Sequence, residues 1–128
     1  QRVTSGAPWE DKVGYRRAVR VGDQVFVAGT VSVGADGQVH APGDPGAQAA
    51  RCLEIIADAL KQAGAEPRHV VRTRMFVTDM SPATQAAVGA AHHAMFKDCP
   101  PASSMIGVSA LADPAYLVEI EADAVISD

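Results

Sequence analysis

The sequence predicts an α+β fold in which a mainly antiparallel sheet of about six strands carries two helices on one face. Near the end of the chain, Leu117 to Ile126 alternates between apolar and mostly acidic side chains, which is typical of a strand with one buried face. Two segments with apolar residues at helical spacing follow the capping pairs Asp44-Pro45 and Ser81-Pro82. Together these patterns give the element order ββ(β)αβαββ.

Length and composition indicate one domain over residues 1–128. The chain is 48% hydrophobic and 20% charged, so it can bury a core without disulfides. Its net charge of -4 argues against a nucleic-acid partner, which requires a basic surface. No apolar run is long enough to cross a membrane, and no signal peptide is evident. The two cysteines lack metal-ligating neighbours, so we expect reduced thiols, a cytoplasmic location, and neither metal nor cofactor.

The first third of the chain predicts strands joined by tight turns. The predicted strands are residues 2–4, 15–21 and 24–31. Gly22-Asp23 forms a two-residue hairpin turn between the second and third of these strands. Residues 5–10, which include the only tryptophan, Trp9, are interpreted as a loop. A turn over residues 34–37 and a loop over residues 40–44 then lead to the first helix.

The middle of the chain predicts two helices with a strand between them. The first helix begins at the N-cap Asp44 and ends at Gly64, and the second begins at Ser81 and ends near Lys97. The inner stripe of the second helix contains Val88, Ala91, His92 and Met95. The strand between the helices covers residues 69–78, and its predicted inner face carries Val71, Thr73, Met75 and Val77. Two last strands are predicted over residues 103–109 and 117–126.

An acidic ladder marks one face of the last strand. Glu119, Glu121 and Asp123 alternate with apolar residues, so all three carboxylates project from the same side of the sheet. Arg72 and Arg74 have the same spacing on the strand between the helices. If the two strands are neighbours, arginine–carboxylate pairs form across them. Two helices cover only one face, so we expect the polar face to be closed by a ring of subunits around a wet interior.

Several segments of the chain, in this order and spacing, resemble the YjgF/RidA family of the chorismate-mutase-like fold. The matching segments are Gly14-Tyr15, Val27-Ala28-Gly29-Thr30, Gln48-Ala49-Ala50-Arg51, Val70-Val71-Arg72-Thr73-Arg74 with Thr78-Asp79, Phe96 before Pro101-Ala102, and Val118-Glu119-Ile120-Glu121-Ala122. The resemblance covers almost the whole chain. It implies a homotrimer with a barrel-like centre and three equivalent small-molecule clefts at the subunit interfaces. In the best-known members these clefts hydrolyse reactive enamines and imines, such as 2-aminoacrylate, to 2-keto acids and ammonia.

Three departures from the family pattern bear on the substrate. The deaminating members have an arginine after the Pro-Ala pair, where it grips the substrate carboxylate, and this chain has Ser103. A serine hydroxyl offers the carboxylate one neutral hydrogen bond, whereas an arginine offers two charged ones. In a desolvated pocket this difference weakens the binding free energy of a carboxylate by roughly a few kcal/mol. Ala28 stands where many members have a serine, and Met105 where the archetype has a cysteine. The chain therefore resembles an arginine-less branch of the family, while Tyr15 and Glu119 remain in register.

The resemblance implies roles for several side chains, each with a simpler alternative. Glu119 orients a hydrolytic water, or it is a ladder carboxylate paired with an arginine. Tyr15 hydrogen-bonds a ligand, or it is an ordinary aromatic at the start of a strand. Arg17, two residues further on the same strand face, replaces the missing anion clamp, or it is a solvated or interface arginine. Gly29 and Thr30 complete the predicted cleft beside Ala28.

The remaining candidates lie on helices and loops. His93 points away from the apolar stripe of its helix and reaches the cleft, whereas the adjacent His92 faces the sheet as a buried histidine with a hydrogen-bond partner. Neighbouring histidines on a helix do not share a face, which argues against a metal site. Trp9 closes over a neighbouring cleft, or it packs on the rim. Ser103 has no nucleophile-elbow sequence around it and is interpreted as a binding residue.

Two functions follow from the sequence. The first is a trimeric enzyme that hydrolyses C=N bonds of small reactive metabolites, with water as nucleophile and Glu119 and Tyr15 as catalytic residues. The second is a trimer that binds small molecules or proteins in the same clefts without turnover. Some relatives carry the label endoribonuclease, but the acidic net charge of -4 disfavours that activity in this chain.

Overall fold

The computed structural model, which describes residues 1–127, contains a six-stranded sheet and three α-helices. The strands are β1 (Arg2–Val3), β2 (Ala18–Val21), β3 (Gln24–Val31), β4 (Val70–Val77), β5 (Ala102–Gly107) and β6 (Val118–Val125). The helices are α1 (Pro8–Val13), α2 (Pro45–Gln62) and α3 (Pro82–Phe96). The strand order is β1-β2-β3-β6-β4-β5, in which β5 runs parallel to β4 and the other neighbours are antiparallel. The predicted α+β class is confirmed.

The two long helices begin where the capping pairs predict. The Asp44 carboxylate accepts a hydrogen bond from the backbone N–H of Ala47 at 3.0 Å, and the Ser81 hydroxyl accepts one from Thr84 at 3.2 Å. Each cap satisfies a backbone N–H that has no partner within its own helix, which is worth about 1 kcal/mol. Gly64 follows α2 with a φ of +85°, and this left-handed backbone conformation ends the helix.

The hydrophobic core lies between the sheet and the two long helices. Burial of one Leu- or Ile-sized side chain stabilises the fold by about 2 kcal/mol. The largest fully buried apolar side chains are Leu53, Ile56 and Leu60 of α2, Val88 of α3, and Val25, Val77, Val118 and Ile120 of the sheet. Neither α2 nor α3 covers the opposite side of the sheet, which we call the open face.

The open face carries both charged and apolar side chains. Arg74 lies in register with Glu121, and its Nη1 is 3.2 Å from Glu121 Oε1 and 3.3 Å from Asp123 Oδ2. The predicted pairing across the two strands is therefore confirmed for Arg74. Glu119 instead lies opposite Phe76 in the register between β4 and β6. The alternative interpretation of Glu119 as the partner of an arginine on β4 is wrong.

The chain forms helix α1 where the sequence pattern indicates a loop. The interpretation of residues 5–10 is wrong in its second half, because α1 begins at Pro8. A proline suits the first turn of a helix, and the acidic Glu10 and Asp11 complement the positive end of the helix dipole. The following strand consequently starts at Ala18 and not at Tyr15. A helix this short cannot display an apolar period in the sequence.

Strand β4 departs from the predicted alternation at its beginning. Val70 is buried and Val71 is 47% exposed, the reverse of the prediction, because the register with β6 shifts between Val70 and Arg72. Such a bulge adds one residue to one strand and exchanges the inward and outward positions on either side of it. From Thr73 onward the predicted alternation is confirmed. The next strand, β5, ends earlier than predicted, at Gly107.

Candidate functional site

A bulge in β3 shapes the first candidate site. The register between β3 and β6 shifts between Val27 and Thr30, so that Ala28 and Gly29 lie outside the regular pairing. Thr30 is fully buried, and its hydroxyl donates a hydrogen bond to the carbonyl of Ala28 at 2.8 Å. The Thr30 side chain therefore holds the bulge from the core side. Its hydroxyl has no access to a ligand, contrary to its predicted role in substrate binding.

Glu119 lies directly against the bulge. A Cβ atom added to Gly29 would be 3.0 Å from Glu119 Cδ and 3.2 Å from both carboxylate oxygens, so the carboxylate would have to move by a few tenths of an ångström to make room for it. Burial raises the pKa of the Glu119 carboxyl above its usual value; the charge of Glu121 raises it further, and Arg17 opposes both. A carboxyl group whose pKa moves toward neutrality is suited to accept and return a proton.

Arg17 joins Glu119 at the bulge and packs on Tyr15. Its Nη2 donates a hydrogen bond to the carbonyl of Gly29 at 2.7 Å, and its Cζ lies 5.7 Å from the centre of the Tyr15 ring. The Arg17 residue is only 8% exposed, and its Nε is buried without a hydrogen-bond partner among the described residues. A buried N–H that lacks a partner is costly, which favours a ligand with an acceptor atom beside it. We call Tyr15, Arg17, Ala28, Gly29 and Glu119 the bulge cluster.

A cavity of about 700 Å³ adjoins the bulge cluster on the open face. Tyr15 and Ala28 line it together with side chains of both charges, including Arg16, Glu121 and Asp123. This mixture of an aromatic ring, cations and carboxylates suits a small polar molecule more than an apolar one.

The second candidate site lies on the helix-facing side of the sheet. β5 places Ser103 in register with Thr73, so both side chains point toward α3. The Thr73 hydroxyl donates a hydrogen bond to Ser103 Oγ at 2.7 Å and lies 2.8 Å from His92 Nε2. His92 is half-buried, its ring centre is 4.6 Å from that of Phe96, and burial lowers the pKa of His92 below its usual value. We call Thr73, His92 and Ser103 the serine cluster.

A smaller cavity of about 310 Å³ lies beside the serine cluster. His92, His93, Lys97 and Pro101 contribute to its walls. Met105 packs against the core on the same side of the sheet.

Within one chain the predicted site residues therefore form two groups on opposite faces of the sheet. Tyr15, Arg17, Ala28 and Gly29 share the open face with Glu119, whereas Ser103, Met105 and His93 lie on the helix side. Trp9 belongs to neither group, because it is 64% exposed on α1 with Lys12 Nζ 6.0 Å from the centre of its ring. The alternation of side chains along one strand shows which of its residues share a face of the sheet. It does not show which residues of another strand lie on that same face, because this depends on the register between the strands.

A buried carboxylate beneath α1 is a further feature, which the sequence patterns did not predict. Glu10 is 1% exposed and accepts hydrogen bonds from the Thr4 hydroxyl at 2.8 Å, the Ser5 backbone N–H at 3.1 Å and the Ser5 hydroxyl. Its backbone carbonyl accepts from the N–H of Tyr15 at 3.0 Å, which ties this network to the bulge cluster. The signal in the sequence is the Thr-Ser pair shortly before an acidic residue, a combination that often caps a turn.

Metal sites and membrane spans are both absent from residues 1–127. Among them no group of three or more His, Cys, Asp or Glu side chains is placed to hold a metal ion. No helix in the same range has both the length and the apolar character needed to cross a membrane.

The chain is similar to a known family model and to solved structures of related proteins. The family model described as endoribonuclease L-PSP matches residues 7–126. The crystal structure of Rv2704 from Mycobacterium tuberculosis, a member of the YjgF/YER057c/UK114 family, has a TM-score of 0.88 and 44% sequence identity and covers 98% of both chains. The YjgF gene product of E. coli has a TM-score of 0.80 at 28% identity, covering 97% of this chain and 93% of that one.

Two curated sequences agree with this assignment. SCO2049 from Streptomyces coelicolor is 34% identical over 124 residues, which are 97% of this chain and 90% of that protein. A RutC family protein from Pyrococcus abyssi is 30% identical over 108 residues, 84% of this chain and 83% of that protein. The fold, the family model and these relatives lead to one conclusion: the chain belongs to the YjgF/RidA family, the family of the endoribonuclease L-PSP model.

Proposed function

We propose that the chain hydrolyses the C=N bond of small reactive imines or enamines, with Glu119 as the residue that activates water. The observation that carries this proposal is the position of Glu119, half-buried against Gly29 and beside the buried Arg17. Burial raises the pKa of Glu119, so this carboxyl group exchanges protons closer to neutral pH than an exposed glutamate does.

The proposed reaction needs one proton acceptor and one ligand clamp. The Glu119 carboxylate takes a proton from water while the water oxygen bonds to the C=N carbon of the protonated imine. The proton then returns to the nitrogen. As the carbon–nitrogen bond breaks, Glu119 takes the proton of the new hydroxyl group, so that a carbonyl compound and an amine or ammonia are released, and the proton on Glu119 passes to the departing nitrogen or to solvent. Arg17 and the Tyr15 hydroxyl offer hydrogen-bond donors to the substrate, and the Arg17 Nε that lacks a partner within residues 1–127 suits this role.

A homotrimer is part of the proposal, because the two clusters do not meet within one chain. The open face carries exposed apolar side chains such as Phe26 between its charged residues, which favours contact with other copies of the chain. The resemblance to the family implies a cleft at each subunit interface, where the serine cluster of one chain approaches the bulge cluster of the next. Ser103 in place of an arginine supports a substrate other than 2-aminoacrylate.

We also propose a reducing, cytoplasmic setting. Cys52 is fully buried, and burial raises the pKa of its thiol to about 12, so it stays protonated and unreactive. Cys99 is an exposed free thiol. Nothing in this arrangement requires oxidising conditions.

The decisive experiment measures imine hydrolysis. An amino-acid oxidase generates 2-imino acids from a panel of amino acids in situ, and semicarbazide competes for the imine. The natural protein is expected to accelerate keto-acid release, and Glu119→Gln is expected to lower that rate at least about 100-fold. Glu54→Gln, an exposed carboxyl on α2, is the matched control and is expected to retain the rate.

The variant Ser103→Arg separates a changed substrate from a lost activity. Activity only in Ser103→Arg would show an intact cleft tuned to another ligand. Silence of both proteins across the panel would reject C=N hydrolysis and support a binding trimer without turnover. RNA cleavage by the natural protein that falls with added salt would instead support the activity in the family model's description. Sedimentation velocity tests the trimer directly, and a monomer at micromolar concentration would contradict it.

A further inference from the structure

The Glu10 carboxylate is buried beneath α1 and surrounded by hydrogen-bond donors. Its oxygens contact the Thr4 hydroxyl at 2.8 Å, the Ser5 backbone N–H at 3.1 Å and the Ser5 hydroxyl. A protonated carboxyl group has one proton to donate, whereas a carboxylate accepts from all three partners. The contacts therefore favour the ionised form of Glu10, although the residue is only 1% exposed and has no ion-pair partner within residues 1–127.

Arg17 is a buried cation that also lacks an ion-pair partner in the described part of the chain. Its guanidinium group is always charged, and the hydrogen bond of Nη2 goes to a neutral group, the carbonyl of Gly29. A buried cation without an opposite charge nearby destabilises the fold. Arg17 therefore requires a negative charge in its surroundings.

Backbone hydrogen bonds keep Glu10 close to Arg17 on two sides. The N–H of Arg17 donates to the carbonyl of Val3 at 2.8 Å, and the next residue, Thr4, binds the Glu10 carboxylate. The N–H of Tyr15 donates to the carbonyl of Glu10 at 3.0 Å, and the Tyr15 ring packs on Arg17. Glu10 and Tyr15 both line the cavity on the open face. The two buried charges therefore belong to one connected unit.

The charge of Arg17 acts on two carboxyl groups with different environments. Burial raises the pKa of both Glu10 and Glu119, and the charge of Arg17 lowers both. The hydrogen bonds from Ser5 and Thr4 also lower the pKa of Glu10, which ends below its usual value. The charge of Glu121 raises the pKa of Glu119 further. Such a separation leaves one fixed anion and one group that exchanges protons.

We propose that Glu10 is a positioning residue whose fixed negative charge is the counter-charge of Arg17. Because Glu10 offsets this charge, Arg17 is not drawn into an ion pair with Glu119, and Glu119 stays free to exchange a proton with water. Glu10 acts through Arg17 and takes no part in proton transfer itself. The inference deepens the proposed function and rests on it for the role of Glu119.

Other charged or titratable side chains also face this unit from the cavity and from the core. They are Arg2, Asp11, Tyr15, Arg16, Arg51, Cys52, Glu121 and Asp123. Each of the three acidic side chains has an arginine partner at 3.1 to 3.3 Å. Burial keeps the Cys52 thiol protonated by raising its pKa to about 12, and Arg2 is exposed to solvent. The unpaired carboxylate of Glu10 is therefore the charge to change.

The first test measures protonation without turnover. In protein labelled with ¹³C at the glutamate side chains, carboxyl shifts are followed during a pH titration, and Glu10→Gln and Glu119→Gln assign the two signals. The Glu119 midpoint is expected to move to lower pH in Glu10→Gln, because the charge of Arg17 then acts on Glu119 alone. An unchanged Glu119 midpoint in folded Glu10→Gln would overturn the proposal.

Arg17→Gln tests the same coupling without altering Glu10. Coupling between two charges is mutual, so the Glu10 midpoint should move to higher pH in this variant, and an unchanged midpoint would overturn the proposal even if Glu10→Gln does not fold. Adding Glu10→Gln to Arg17→Gln should move the Glu119 midpoint less than Glu10→Gln does alone. An equal shift in both backgrounds would show that Glu10 does not act through Arg17.

The second test measures kcat/KM for imine hydrolysis as a function of pH. Glu119 must be ionised to accept a proton, so Glu10→Gln should raise the ratio of kcat/KM at about pH 5 to that at about pH 7 at least about threefold. A merely structural role would lower the rate equally at both pH values and would overturn the proposal. Glu10→Asp keeps the charge and should keep the natural ratio.

Glu54→Gln is the matched control, because it removes one exposed carboxylate of α2 and changes the net charge equally. It should leave the ratio and both midpoints unchanged, and shifts as large as those in Glu10→Gln would assign the effect to net charge and overturn the proposal. If the natural protein does not hydrolyse imines while the midpoints of Glu10 and Glu119 shift as expected, the proposed function fails and the counter-charge role of Glu10 is supported.

Discussion

Gly29 determines where the carboxylate of Glu119 lies. A Cβ atom at Gly29 would crowd the Glu119 carboxylate at 3.0 Å, and the Gly29 carbonyl accepts a hydrogen bond from Arg17. The same backbone position thus contacts the proposed proton acceptor and the proposed ligand clamp of the bulge cluster. A side chain at this position would therefore shift the Glu119 carboxylate.

Gly29→Ala is expected to lower imine hydrolysis by at least about tenfold, because an added Cβ at 3.0 Å from Glu119 Cδ pushes the carboxylate away from its position beside Arg17. The measurement is kcat and KM in the oxidase-coupled assay, with the thermal unfolding curve as the control for folding. A variant that folds normally and retains full kcat would show that this contact does not position Glu119 for catalysis.

The raised pKa of Glu119 has a consequence for stability. Because its folded-state pKa lies above the unfolded value, the folded state holds an extra proton between the two, and stability falls as the pH rises through that window. Glu119→Gln is expected to be more stable than the natural protein above this window and to lose that advantage below it. Urea unfolding at a series of pH values measures the difference. If the difference in unfolding free energy between Glu119→Gln and the natural protein stays constant across pH, burial of the charged carboxylate is not the cause of that difference.

At the scale of elements, α1 is held by a single buried side chain. Glu10 anchors the segment before α1, and its carbonyl receives the N–H groups of Gly14 and Tyr15 at the end of the helix. Burial alone would raise the pKa of Glu10. The hydrogen bonds from Ser5 and Thr4, together with Arg17, outweigh burial and lower it below the usual value.

The lowered pKa of Glu10 stabilises the fold above the carboxyl's usual pKa of about 4.3. That stabilisation is lost as the pH falls through its folded value. Glu10→Gln is expected to cost about 2 kcal/mol at neutral pH and to flatten the loss of stability toward acid. Chemical unfolding at pH 7 and at decreasing pH tests this. Asp36→Asn, in an exposed turn, is the control. If Glu10→Gln loses stability toward acid as steeply as the natural protein does, the loss of stability is caused by other carboxylates.

The long elements were predictable and the short irregular ones were not. Strict alternation and a neighbouring turn located β3 and β6, and side-chain caps located α2 and α3. The sequence carries no comparable signal for the bulges at Ala28 and Val71, because a bulge depends on how two distant strands pair. The same limit applies to the site: each candidate residue was found within its own strand, but the separation of Ser103 from Glu119 by the sheet required the observed register.

At the scale of the whole molecule, the open face is the surface best suited to contact with other copies of the chain. Phe26 is 45% exposed and Val125 40% exposed, and both lie beside the carboxylates of β6. An apolar surface interspersed with charges of both signs is typical of an interface with complementary partners. The six-stranded sheet therefore presents a surface suited to other copies of the chain.

Phe26→Glu is expected to shift the sedimentation coefficient from that of the proposed trimer toward that of a monomer, because it adds a charge to the apolar part of the open face beside Asp123. Ala50→Glu adds the same charge to the exposed side of α2 and should leave the assembly unchanged. If both variants sediment like the natural protein, the open face does not form the subunit contact.

The position of β6 has a consequence for how the chain reaches its folded state. β6 comes last in the sequence of strands and lies between β3 and β4 in the sheet. Until residues 118–125 have left the ribosome, neither half of the sheet has its central partner, and closing the loop from β3 to β6 costs chain entropy. We therefore expect slow folding dominated by contacts between distant residues, and a long interval during synthesis in which β3 and β4 expose their unpaired edges to chaperones.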